Sequence, residues 1–115
     1  MKCLSVKQPH ASMIASGKKK IETRTWRTDY RGDILIVASR SPRMGNLPTG
    51  KSLCIVRLVD CRPMIKADEA RACCELYDGA YAWDIDNIRP VAPINISGRL
   101  GLYDLPQYVP KIKTI

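Results

Sequence analysis

No stretch of this sequence is apolar for the roughly 20 residues that a membrane-crossing helix needs, so a helical membrane span is not expected. A secretory leader is not expected either, because Met1-Lys2-Cys3 runs into Pro9 without a long apolar core. Metal-binding residues are scarce. His10 is the one histidine, and the five cysteines (Cys3, Cys54, Cys61, Cys73, Cys74) form an odd set with no C-x-x-C spacing. Structural zinc wants paired ligands at short spacing, so neither a metal nor another cofactor is expected. Cys54 and Cys61 lie in apolar, strand-like sequence, where a free thiol behaves as a small hydrophobe. There is no glycine-rich phosphate loop to indicate a doubly wound nucleotide fold. No internal repeat or linker divides the chain, and 115 residues suffice for one domain but not for two. Residues 1–115 therefore read as a single domain, with a core over about 2–105 and a C-terminal tail at 106–115. A reduced, cytoplasmic protein is the simplest expectation.

Acidic side chains are the remaining shortage. Nineteen Lys and Arg face eleven Asp and Glu, a formal charge of +8. Such a surplus draws polyanions, nucleic acid first, and speeds their encounter by electrostatic steering. A charge of this size also serves solubility alone. The charge pattern along the chain is therefore more informative than the total.

The densest stretch is Gly17-Lys18-Lys19-Lys20-Ile21-Glu22-Thr23-Arg24-Thr25-Trp26. Strand side chains alternate between faces, so Lys20, Glu22, Arg24 and Trp26 share one face and Ile21, Thr23 and Thr25 the other. Three charges and an indole on one face suit a flat, anionic ligand such as a nucleotide.

Around this run the elements are short. Residues 2–6 read as a strand, Pro9 opens a helix, and His10, Met13, Ile14 and Gly17 follow its apolar stripe with Gly17 as the C-cap. After the turn Asp29-Tyr30-Arg31-Gly32, Ile34 to Ala38 is continuously apolar and reads as a central strand. Residues 39–50, with two prolines and two glycines, read as a loop, and its Arg40 and Arg43 make it either an arm over the site or a solvated connector. A long strand is expected over Leu53–Cys61, a helix over Lys66–Leu76 and a strand over Tyr81–Ile88 that Pro90 and Pro93 break. A closing strand is expected over Arg99–Tyr103. Short strands, two short helices and frequent turns indicate an α+β fold built on a mixed β-barrel.

Leu4-Ser5-Val6-Lys7-Gln8-Pro9-His10-Ala11-Ser12, then Gly17-x-Lys19-x-x-Glu22-x-Arg24, then Tyr30-Arg31-Gly32, resemble the ASCH domain family. Ala82-Trp83 and Ile94 to Tyr103, with Gly98 and Gly101, resemble its closing segment. The resemblance implies a PUA-like β-barrel with short α-helices and an association with nucleic acid. It also implies that Lys19, Glu22 and Arg24 line a cleft beside the first helix. Strand parity selects Lys20 where the family pattern selects Lys19. The family pattern is preferred, because residue 19 sits at a helix-to-strand junction where alternation has not begun. Lys18 and Lys20 are then backbone-phosphate contacts or surface charge. Some bacterial members are small amidohydrolases acting on acetylated cytidine; they carry a lysine where this chain has Lys19 and a threonine where it has Glu22. The family often has tryptophan after Gln-Pro, where this chain has His10.

Two functions follow. As a binding module for RNA, DNA or a nucleotide, Lys19 and Arg24 would hold phosphate while Trp26 or Trp83 stacks on a base. Lys7, Gln8, His10, Lys18, Lys20, Glu22, Arg40 and Arg99 complete the expected contact set. The structural alternative is an ion-pair network centred on Glu22, with both tryptophans in the core. As an enzyme acting on RNA or modified nucleosides, the chain would use His10, Lys19 and Glu22, with Asp84 as a further partner for Lys19. Ser39 or Thr23 as a nucleophile lacks an evident base.

Overall fold

The computed structural model describes residues 1–105 and 112–115. Its elements are β1 (Lys2–Val6), α1 (His10–Ala15), β2 (Ile21–Arg24), β3 (Gly32–Ala38), β4 (Ser52–Pro63), a 3₁₀ turn (Lys66–Asp68), α2 (Glu69–Ala72), β5 (Tyr81–Pro90) and β6 (Leu102–Asp104). The strands form one six-stranded sheet in the order β2-β5-β4-β3-β1-β6. β1 runs parallel to β3, and every other pair is antiparallel. Register shifts in β3–β4 at Ile36/Val37, and in β4–β5 at Ile55/Arg57 and Leu58/Asp60, bend the long strands. The fold is α+β, as expected: a mixed sheet curled into a half-barrel with few short helices. Its curl leaves β2 and β6 as the two edges.

Both faces of the middle strands are covered, which explains the unbroken apolar run of β3. Leu4, Val6, Ile34, Ile36, Val56 and Trp83 pack with Ala11 and Ile14 of α1 in the concave core. Cys3, Leu35, Val37 and Ile55 point the other way, against Val91, Ile96 and Tyr103. Burial pushes the Cys3 and Cys54 thiols up to about 11 and about 12, so both stay protonated and act as small hydrophobes.

Two elements differ from expectation. The helix expected over Lys66–Leu76 is a 3₁₀ turn plus the single turn of α2, ended where Cys73 enters the left-handed region at φ 55°. β6 is confined to Leu102–Asp104; residues 98–101 before it are irregular, with a bend at Leu100 and Gly101. The tail lies partly outside the described residues. Its last residues nonetheless join the fold: Thr114 bridges Val91, the Ala92 N–H donates to the Lys113 carbonyl at 2.9 Å, and Ile112 packs on the second core.

Candidate functional site

The junction between α1 and β2 builds the floor of a cleft. Gly17, at φ +83°, ends α1, and the Lys19 N–H donates back to the Met13 carbonyl at 3.0 Å. That turn directs the Lys19 side chain inward, where it is 1% exposed, while Lys18 and Lys20 point to solvent. Alternation begins only at Ile21, so Lys19 rather than Lys20 joins Glu22 and Arg24. On β2, Glu22 stands opposite Trp83 of β5, and Ile21 turns the other way into a small core with Met64, Ala72 and Ala82.

Glu22 is shared by two cations. Its Oε2 accepts from Arg24 Nε at 3.2 Å and Nη2 at 2.9 Å, and its Oε1 lies 3.7 Å from Lys19 Nζ. Lys19 Nζ also donates to the Ala72 carbonyl, and Arg24 Nη2 to the Ser5 carbonyl at 2.8 Å. The floor is thus a buried, nearly satisfied network with one surplus positive charge. Lys19 and Arg24 are committed to protein partners.

The cleft encloses about 790 Å³. His10, the first residue of α1, forms part of its wall; its Nδ1 is buried without a partner. Desolvation, and after it the nearby Lys19 charge, holds the imidazole below its ordinary pKa against a smaller pull from Glu22. His10 is therefore neutral near pH 7. Trp26 contributes a half-buried ring, and Lys7, Arg40 and Arg99 stand exposed around the cleft. None of these three cations makes an ion pair among the described residues. Of the charged residues lining the cleft, five are cations and Glu22 is the single carboxylate.

Trp83, Gln8 and Asp84 do not line the cleft, and neither do Lys18, Lys20 and Arg43. Trp83 is 0% exposed; it meets Trp26 edge-on at 4.8 Å and donates its Nε1–H to the Trp26 carbonyl at 3.4 Å. It supports the Trp26 ring and cannot itself stack on a ligand. Gln8, 3% exposed, is a brace: its Nε2 donates to the Pro48 carbonyl at 2.8 Å and its Oε1 accepts from the Ser12 N–H at 3.0 Å. It ties the first turn of α1 to the 39–50 loop. Asp84 does not partner Lys19; it sits opposite Ile21 and pairs with Arg62 at 3.3 Å and Arg71 at 3.7 Å.

Thr23 and Ser39 line the cleft, as do Ser5, Cys74, Tyr77 and Leu100, which sequence reasoning missed as site residues. The latter four come from three segments far apart in the chain, Cys74 and Tyr77 sharing the one after α2, and no sequence spacing links the three. Among the described residues, no group of three or more His, Cys, Asp or Glu side chains is placed to hold a metal ion, and no helix is long and apolar enough to cross a membrane.

The family model of the ASCH domain matches residues 4–97. The crystal structure of ASCH from Zymomonas mobilis superposes with a TM-score of 0.70 at 19% identity, covering 92% of this chain and 87% of that one. A tyrosine-to-phenylalanine mutant of the Zymomonas mobilis protein gives a TM-score of 0.67 at 20% identity, over 92% and 90%. These likenesses establish the PUA-like fold of the half-barrel. Human Activating signal cointegrator 1 is 49% identical over 37 residues, which are 32% of this chain. The chain spans only 6% of the length of that curated relative.

Proposed function

This chain belongs to the ASCH domain family, and from that footing we propose that it binds nucleic acid as a single strand, seating one nucleotide in the cleft. The observation that carries this reading is the ring of unpaired cations, Lys7, Arg40 and Arg99, around a pocket floored by Lys19, Glu22 and Arg24. The floor cations are engaged, so the rim takes phosphate: the arginines through their planar forks and Lys7 as a point charge. The volume of about 790 Å³ is that of a small-ligand pocket and too small for a duplex. A splayed base fits it, with Trp26 as a stacking face and the fixed donors and acceptor of the floor against its edge. RNA and DNA satisfy this arrangement equally.

Fluorescence anisotropy of labelled single-stranded RNA and DNA tests the reading, comparing the wild type with a Lys7→Gln, Arg40→Gln, Arg99→Gln triple variant. The wild type is expected to bind at low salt and the variant to lose most of its affinity. Equal binding by the two proteins would show the cleft rim to be irrelevant.

A second reading, hydrolysis of RNA or a modified nucleoside, draws on the neutral imidazole of His10 in the cleft wall. By the family resemblance, Glu22 stands where amidohydrolase members carry a threonine, and its carboxylate is held by Arg24. Turnover abolished by His10→Ala, with binding retained, would favour this reading. Binding without turnover would leave the chain a binding module.

A further inference from the structure

Leu100 is the most exposed of the large apolar side chains among the described residues, at 99%, and it borders the cleft. A single exposed leucine is ordinary on a protein surface. The setting of this one is not. Its turn is seated on two residues of the cleft itself. Gly98 lies close to Ser5: a Cβ there would come within 2.7 Å of the Ser5 Oγ, so a larger residue would make the Ser5 hydroxyl shift. Gly101, at φ +68°, rests beside Trp26, whose Cζ2 is 3.9 Å from where a Cβ would stand. Between these supports, the turn presents Arg99 and Leu100, an unpaired cation and an uncovered apolar side chain, at the mouth of the pocket.

We infer that Leu100 is an insertion wedge: when one nucleotide occupies the cleft, Leu100 covers the face of the neighbouring base that the seated base has left. This inference rests on the proposed single-strand reading and deepens it, naming the partner as a stacked strand rather than an isolated nucleotide. Seating one base breaks a stack and exposes an apolar ring face to water. An aliphatic side chain inserted at that step restores the lost contact. Arg99, its neighbour in the chain, takes the phosphate between the two bases.

The test uses a short mixed-sequence strand, made as RNA and as DNA, with one 2-aminopurine that brightens when unstacked and an end label for anisotropy. The wild type is expected to bind and to brighten the probe. Leu100→Ala is expected to bind about ten-fold more weakly, the order of one base-stacking contact, while the brightening at saturation, which reports the seated base, persists. Leu100→Met, which restores a long apolar side chain, should recover the affinity. Binding by Leu100→Ala as tight as that of the wild type overturns the wedge and leaves the cleft reading standing. No binding of either strand by the wild type at low salt overturns the cleft reading, and the wedge with it.

Discussion

Glu22 holds two cations with one carboxylate, and its removal strands both. Lys19 would keep only the Ala72 carbonyl in a site where the amine is 1% exposed. Breaking a buried pair at one partner costs about 3–5 kcal/mol. Glu22→Gln, which keeps an acceptor oxygen, is expected to lose about 3 kcal/mol, read as a lowered urea midpoint with an unchanged slope. The two tryptophans separate stability from binding. Trp83→Ala empties a fully buried site and should cost about 3–5 kcal/mol in a denaturation curve. Trp26→Ala should cost less stability and weaken oligonucleotide binding by about 1–3 kcal/mol in an anisotropy titration. The reverse ranking would place the stacking face on the wrong ring. Sequence shows two tryptophans in similar surroundings; only the pairing of Glu22 with Trp83 across β2 and β5 separates their roles.

At the scale of elements, the segment from the 3₁₀ turn through α2 matters most, because it supplies the Ala72 carbonyl over Lys19. One turn of helix is too short to hold itself. Asp68 anchors it: its carboxylate accepts from Arg62 Nη1 at 2.8 Å and Nη2 at 3.0 Å, and from the Ile65 N–H at 2.9 Å. The Arg62 bonds, with the Ile65 N–H assisting, hold the Asp68 carboxyl below its ordinary value against desolvation. The folded state therefore binds this proton less readily than the unfolded chain. Its stabilisation is complete above the ordinary carboxylate value near pH 4 and is lost as pH falls through the lower folded value. Asp68→Asn should destabilise the protein at neutral pH and flatten its acid-unfolding profile. Amide exchange should quicken first at residues 69–74. An unchanged acid profile would assign the acid sensitivity to other carboxylates. The sequence pattern over Lys66–Leu76 suggests a longer helix because apolar periodicity does not register the left-handed residue at Cys73 that ends α2.

At the scale of the whole molecule, the +8 charge is unevenly spent. Asp33 pairs with Arg89, Asp86 with Arg57, and Asp68 and Asp84 with Arg62, all away from the cleft. Three of the cations that make no ion pair among the described residues, Lys7, Arg40 and Arg99, stand at its mouth. Release of counterions from a single strand gives a slope of about −0.7 per phosphate neutralised. Three rim contacts predict log affinity falling with log salt at a slope of roughly −2. Replacing Arg40 or Arg99 with Gln should each shallow that slope by about 0.7, uniformly across oligonucleotide sequences. A salt-independent affinity would mean that phosphate plays no part.

Sequence alone determined where most strands lie along the chain, the left-handed Gly17 just past the end of α1 and the trio Lys19, Glu22 and Arg24. These follow from local rules, namely strand alternation, glycine at a left-handed cap, and charges spaced within one short run, and from family resemblance in the choice of Lys19 over Lys20. Tertiary structure alone decided which cations are free. Lys19 and Arg24 look like ligand contacts in the sequence, yet Glu22, Ala72 and Ser5 engage them in the fold. It also decided that Trp83 is core, that Gln8 is a brace, and that Ser5, Tyr77 and Leu100 meet at one cleft. Partnering between residues far apart in the chain depends on sheet order and on the curl of the strands. Neither is encoded in the spacing of any single segment.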